Sequence, residues 1–398
     1  MIKRKNYIEQ IETLVDTEFI KVITGVRRSG KSYLLLMIRE LLRLKGVAES
    51  QIVYISFEHP ENYSLQKEGA LYEYLKEKYS FSRKVYFLFD EIQEVENWQK
   101  LVNGLRLAFD SDIYLTGSNA SLLSGELATY LTGRYVEIKM LPLSFVEYLD
   151  FKGYERHQGE RYIRDYFEYG GFPSVVLQND NQLKKDVLGG IYNSILLKDV
   201  AKRAVIKESE LLERIAVFLL DNIGQLISTN KIANTIRSTG RKVSNGTVEH
   251  YLSLLEKAFL FYKVRRYDIR GKEYLANQAK YYTVDLGFVF SQIKKLSSNR
   301  GSRIENLIFL ELYRRGYDVF VGKYDSKKID FVAMKPNETL YIQVTEQLPE
   351  NNDRETDNLL HLPTGHRKVV ITNNWSNVGV YEGIPIIHVY DFLANEEF

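Results

Sequence analysis

Apolar and polar positions change rhythm along this chain. Up to about residue 140, short apolar runs alternate with segments of helical period. FIKVIT (19–24), QIVYISF (51–57), KVYFLFDE (84–91) and DIYLTGS (112–118) are runs of the first kind. Near 31–44, 67–78 and 97–108, apolar residues recur every three or four positions instead. The first pattern suits a strand buried on both faces and the second an amphipathic helix. Their alternation predicts an α/β fold, a parallel sheet with helices on both sides, in which ligands sit at the carboxyl ends of the strands.

After LPLSFVEYL the rhythm becomes helical, with GGFPSV (170–175) as a break, a long amphipathic run from 181 to about 204 and another helix over 208–223. Two shorter helices, STNKIANTIRST and SNGTVEHYLSLLEKA, are separated by GRKV and opened by Ser228 and Ser244 as N-caps. Two strand-like runs follow, FLFYKVRRYD and KYYTVDLG. Helix, turn, helix and hairpin is the order of a winged helix. The last hundred residues read as a second α/β unit: a helix over 303–315, the strands YDVFVG, KIDFVAM and TLYIQVTE, a further helix, then RKVVIT and IPIIHVY.

With 398 residues, 44% of them hydrophobic and 27% charged, the chain can bury several separate cores. It has no cysteine, which excludes disulfides and thiolate metal sites. No apolar stretch approaches the roughly 18 residues a membrane-spanning helix needs, so a cytoplasmic protein with no membrane partner is expected. The net charge of +2 hides an uneven distribution. Residues 200–300 carry 18 Lys and Arg against 9 Asp and Glu, whereas residues 345–398 carry 3 against 9. The basic middle suits an anionic partner, or a solvated face that pairs with the acidic tail.

GVRRSGKS (25–32) matches GxxxxGK[ST] between a predicted strand and a predicted helix, the context a phosphate loop requires. Gly25 and Gly30 allow the tight turn that gathers backbone N–H groups, with those of Arg28, Ser29 and Tyr33, around one anion. Lys31 would bridge the outer phosphates and Ser32 would hold Mg²⁺. At the end of VYFLFDE, Asp90 is placed to share that ion, and Glu91 to orient or deprotonate an attacking water. Ser118 and Asn119, after DIYLTG, could touch water and γ-phosphate, or could be simple turn residues. Arg134 could reach into a neighbouring subunit's site as a finger in a homo-oligomer, or be an ordinary surface arginine. No NKxD string occurs, so ATP with Mg²⁺ is expected rather than GTP.

Together GVRRSGKS, VYFLFDEIQEVENW, IYLTGSNASLLS and LTGRYVEIKMLPLSF resemble the prokaryotic AAA-type ATPases that carry a C-terminal domain of unknown function with a restriction-endonuclease-like core. GGFPSV, LLKDVAKR, TVEHYLSLLEKAFL, KYYTVDLG, IENLIFLELYRRGYDV, IDFVA and YIQV extend the resemblance over nearly the whole chain. It implies an AAA+ P-loop ATPase core (1–143), a helical lid (144–206), a winged helix (207–290) and a restriction-endonuclease-like α/β domain (300–398). It puts the nucleotide site on Gly25, Gly30, Lys31, Ser32, Asp90 and Glu91, with Ser118 or Asn119 as sensor.

In a DNA-reading winged helix, Asn245, Thr247 and His250 would face a groove, while Arg241, Lys242, Arg265 and Arg266 would contact phosphates. Alternatively the winged helix packs against its own chain. A metal-dependent nuclease of the restriction fold needs an acid on its first helix, an Asp on one strand and ExK on the next. Glu305 and Asp330 meet the first two needs, but the third reads Gln343, Val344, Thr345, with neither acid nor lysine. A degenerate domain is therefore expected, with no evident replacement for the lysine. The leading functional expectation is an ATP-driven switch or motor on DNA. A nucleotide-sensing scaffold of slow turnover and a metal-dependent DNA nuclease are the alternatives.

Overall fold

The computed structural model describes residues 2–79, 83–123, 133–202, 208–293, 300–348 and 354–395. The chain forms two compact units, Met1–Leu141 with Lys257–Phe259, and Pro142–Glu256 with Leu260–Phe398.

In the first unit, β1 (Ile20–Thr24), β2 (Ile52–Ser56), β3 (Val85–Asp90), β4 (Ser111–Gly117) and β5 (Tyr135–Lys139) form one sheet. Its order is β2-β3-β4-β1-β5, and every neighbouring pair is parallel. Alternation along β3 explains the layers. Phe87 and Phe89 pack with Leu71, Leu75, Trp98, Val102 and Leu105, from the helices Glu68–Lys78 and Trp98–Ala108. Tyr86 and Leu88 pack with Leu34, Leu35, Ile38 and Leu42 of the helix Lys31–Leu44. Four strands and three helices lie where the apolar rhythm predicts them. β5 is an unpredicted edge strand whose residues are mostly half-buried, so it lacks a continuous apolar run.

At the start of β1 and β4, Lys21 and Asp112 form an ion pair of 2.5 Å with no solvent exposure on either side chain. Tyr114 Oη (2.9 Å) and the Asp16 backbone N–H (2.8 Å) donate to the other Asp112 oxygen. A buried pair needs such additional donors to offset the loss of hydration.

The second unit holds β6 (Phe261–Asp268), β7 (Glu273–Thr283), β8 (Asp318–Tyr324), β9 (Lys327–Lys335), β10 (Glu338–Thr345), β11 (Arg367–Thr372), β12 (Gly379–Tyr381) and β13 (Ile384–His388). They form a mixed sheet of order β12-β13-β11-β10-β9-β8-β6-β7. The expected hairpin β6–β7 is present, but it does not end as a separate wing. Arg266, Tyr267 and Asp268 pair in parallel with Val321, Gly322 and Lys323, which continues the C-terminal sheet into the hairpin. Sequence periodicity specifies a strand's two faces but not its edge partner, so this seam was not foreseen.

The helix pair Thr229–Ser238 and Asn245–Lys257 forms as predicted. Ser228 Oγ accepts from Lys231 N (3.2 Å), and Ser244 Oγ accepts from Thr247 N (3.0 Å). The long run after 180 is a regular helix over Asn181–Ser194 that widens into π turns over Ile195–Lys202. The GGFPSV break also has a physical cause. Gly170 has φ +72°, and a Cβ there would lie 1.6 Å from Asp285 Oδ1. Asp285 is buried and accepts from the backbone N–H groups of Gly171 (2.7 Å) and Gly287 (2.8 Å). Burial pushes its carboxyl up to about 7, although both N–H bonds act against that.

Candidate functional site

The loop 25–30 leaves the carboxyl end of β1 and turns into the helix Lys31–Leu44. Gly25 has φ +147°, and a Cβ there would lie 2.1 Å from the Met140 carbonyl oxygen. Arg28 and Gly30 also have positive φ, +70° and +104°. No side chain caps the helix, so its first N–H groups and positive dipole end suit an anion. Ser29 Oγ is buried and has no hydrogen-bond partner among the described residues. A phosphate oxygen would satisfy it, so the loop fits the nucleotide its sequence implies.

Lys31 is buried, and its ammonium donates to the carbonyls of Gly25 (2.9 Å) and Val26 (3.1 Å). Asp90 ends β3, where three hydroxyls donate to it: Ser32 Oγ (3.0 Å), Thr116 Oγ1 (2.7 Å) and Ser56 Oγ (3.2 Å). Burial pushes the Asp90 carboxyl above the usual aspartate range. The Thr116 bond opposes this, the Glu91 carboxylate adds to it, and the Ser32 and Ser56 bonds oppose it. A cation would relieve the same burial cost, and Ser32 and Asp90 suit a Mg²⁺ ion that takes its remaining oxygen ligands from phosphate and water. Glu91 follows at φ +55°, its backbone N–H donating to Thr116 Oγ1 (2.9 Å). Its carboxylate accepts from the Gln93 amide and lies 4.0 Å from Lys31 Nζ.

β4 lies between β1 and β3, so Ser118 and Asn119 follow a strand flanked by the phosphate loop on one side and the two acids on the other. Both are buried. Arg134 is exposed next to β5, and Arg28 and Tyr33 are exposed beside the loop. Ser56, Gln93 and Thr116 were missed in the sequence, because single polar residues at strand ends carry no spacing signal.

Comparison with known proteins decides the family. The family model "AAA domain" matches residues 17–149. An uncharacterized protein of Haemophilus influenzae is 50% identical over 396 residues, covering 99% of this chain and 98% of that protein. This chain belongs to the AAA-type P-loop ATPases. A second uncharacterized protein of the family, from Methanocaldococcus jannaschii, is 33% identical over 365 residues, 88% of this chain and 80% of its own. The Walker-type ATPase of Pyrococcus abyssi shares the fold, with a TM-score of 0.50 at 15% identity over 73% of this chain and 96% of its own. Residues 160–299 of this AAA-type ATPase match a family model described as a domain of unknown function.

In the second unit, several residues expected to meet DNA are engaged by other residues of the chain. Arg241 is paired with Glu208 (3.3 Å) and Glu210 (3.1 Å). Asn245 accepts from Arg237 (3.1 Å) and donates to Asn230 (2.5 Å), and the Thr247 hydroxyl is hydrogen-bonded to the Ser244 hydroxyl (2.8 Å). Lys242, His250 and Arg265 are exposed, and Arg266 is half-buried at the β6–β8 seam.

Glu305 (helix Arg300–Arg314), Asp330 (β9) and Gln343 (β10) do come together. Gln343 Oε1 accepts from the Asp330 backbone N–H (2.9 Å), and Asp330 Oδ2 accepts from Val344 N (3.1 Å). The structure adds a lysine that none of these three positions supplies. Lys280, on β7, donates to Glu305 and lies 3.3 Å from Asp330 Oδ1. Tyr282 Oη donates to Glu305 Oε1 (2.5 Å), and Lys328 Nζ lies 3.7 Å from Asp330 Oδ1. Burial pulls the Lys280 ammonium down, but the Glu305 and Asp330 carboxylates outweigh it and hold the group above the ordinary lysine range. The local environment accounts for the pairing. In AKYYT every residue is buried, on both strand faces, so Lys280 sits where only a paired charge is tolerated.

Proposed function

We propose that this chain is a Mg²⁺-dependent ATP hydrolase that works as a nucleotide-driven switch or motor on DNA. The reading rests on the meeting of Lys31, Ser32, Asp90 and Glu91 at the carboxyl ends of β1 and β3. Loop amides from Gly25 to Ser32, with Arg28, Ser29 and Tyr33, would hold the phosphates, and Lys31 would exchange its two loop carbonyls for phosphate oxygens. Ser32 and Asp90 would hold Mg²⁺, which when bound neutralises charge on the phosphates. Glu91 would orient the water and accept its proton, with Ser118 or Asn119 fixing its position. In a homo-oligomer, exposed Arg134 would reach a neighbouring copy's site.

The domain plan proposed is an ATPase core over 1–143, a lid over 144–206, a winged helix over 207–290 and a restriction-endonuclease-like domain over 300–398. Exposed Lys231, Arg237, Lys242 and Arg265 support an anionic partner for the basic middle. No helix among the described residues is long and apolar enough to cross a membrane, and a cytoplasmic site of action is proposed.

A second reading, a nucleotide-sensing scaffold of slow turnover, is favoured by the hold of Gln93 and Lys31 on Glu91. ATP turnover of the full chain, with single-stranded, duplex and branched DNA, separates the two. We expect saturable Mg²⁺-dependent turnover that DNA stimulates, with the stimulation falling steeply as salt rises. Slow turnover that DNA leaves unchanged selects the scaffold. ATP binding by Lys31→Ala as tight as the parent's would end both readings, because each requires nucleotide held by that lysine.

A further inference from the structure

We propose that Lys280 is the resident cation of the Glu305–Asp330 site, occupying with its own ammonium the point where a restriction-type centre would hold a metal ion. Three observations carry this. The first is position: a single Nζ donates to Glu305 Oε1 and Asp330 Oδ1, from a side chain with no solvent exposure, whereas the two carboxylates keep 11% each.

The second is the donor inventory. Asp330 Oδ2 is taken by the Val344 N–H, and Asp330 Oδ1 faces both Lys280 and Lys328. Glu305 Oε1 is taken by Lys280 and Tyr282. Gln343, which stands where the third acid belongs, spends its Oε1 on the Asp330 backbone and its Nε2 on the Lys328 carbonyl (3.5 Å). A divalent cation of this kind needs about six oxygen ligands. Among the described residues no group of three or more His, Cys, Asp or Glu is placed to hold one.

The third is charge. Two carboxylates face two ammonium groups, so the cluster is neutral without an ion. A divalent cation would leave an excess of positive charge beside Tyr282, whose ring packs against Phe309 and Phe331. The residues do not fit the metal that the restriction-endonuclease resemblance implies. The centre is instead an internal salt link that ties β7, the helix Arg300–Arg314 and β9 together.

The test uses the full chain and Mn²⁺ alone, counted by electron paramagnetic resonance. Nucleotide is absent, so the outcome is independent of whether the first unit hydrolyses ATP. The parent and Asp330→Asn are expected to bind the same number of Mn²⁺ ions. Loss of one ion per chain in Asp330→Asn would overturn the proposal, since it would mean that the carboxylates hold metal with Lys280 in place. Lys280→Met leaves two carboxylates facing each other, and we expect it to gain one Mn²⁺ per chain, lost again in Lys280→Met/Glu305→Gln. A folded Lys280→Met that gains no ion counts against the proposal. If Lys280→Met folds only when Mn²⁺ is supplied, the ion is replacing the ammonium and the proposal stands. If it fails to fold in either condition, the comparison of the parent with Asp330→Asn decides alone.

Discussion

Asp90 in the first unit and Asp330 in the second are both strand carboxylates, buried and fully engaged by donors. Their neighbours differ in charge. Asp90 is surrounded by the hydroxyls of Ser32, Ser56 and Thr116, which solvate the carboxylate but leave its charge unbalanced. Asp330 faces the ammonium groups of Lys280 and Lys328, which balance it. Hydroxyls around a buried carboxylate leave a demand for a cation, and a lysine removes that demand. Two sites that look alike as a list of acids therefore differ in what they can recruit.

The comparison can be broken most sharply at Glu91. Glu91→Gln keeps the loop and Asp90 intact, so it should still bind ATP while turnover falls about 10²- to 10⁴-fold, the range for loss of a general base. Parallel binding and turnover measurements check this, and equal loss of both would remove Glu91 from the chemistry. Next comes Asp112, a carboxylate of the lysine-balanced kind with no metal chemistry near it. Lys21→Met strands that buried charge and should cost about 3–5 kcal/mol in chemical denaturation, and a cost under 1 kcal/mol would show the charge balance matters little.

Asp285 is a third kind of buried carboxylate, held among the described residues by two backbone N–H groups, with its carboxyl pushed up to about 7 from 3.8. Between those values the folded protein keeps a proton that the unfolded chain has released. This group's contribution is therefore greatest near pH 4 and declines as pH rises toward 7, by up to about 4 kcal/mol. Asp285→Asn should flatten that decline in denaturation curves recorded across the range, and an unchanged slope would place the titration elsewhere. The smallest effect is expected for Thr116→Val, which removes one hydroxyl from Asp90 and from the Glu91 backbone N–H. Turnover should fall about tenfold, the size of one lost hydrogen bond to a charged group, with ATP-dependent thermal stabilisation retained.

The first unit was legible because its information is local. A phosphate loop announces itself within eight residues, and buried strands such as VYFLFD carry their own apolar runs. Gln93 and Thr116 were not legible, since a polar residue at a strand end reads equally well as a turn residue. The second unit hid more, because its decisive pairings join distant segments. Lys280 meets Glu305 across 25 residues and Asp330 across 50, and nothing in the spacing of Glu305, Asp330 and Gln343 points back to β7. The edge strands β5 and β12, half-wet and short, lacked a periodic pattern.

The three-residue ladder between β6 and β8 also limits how the protein can be divided. A fragment ending near residue 299 would contain every predicted element of the winged helix, yet β6 would be left with an open edge. The same cut would leave Lys280 on β7 without Glu305 or Asp330 to receive its charge. The final hundred residues therefore act as an intramolecular folding partner for the segment before them, and expressing that segment alone would yield an aggregation-prone piece rather than a smaller working module.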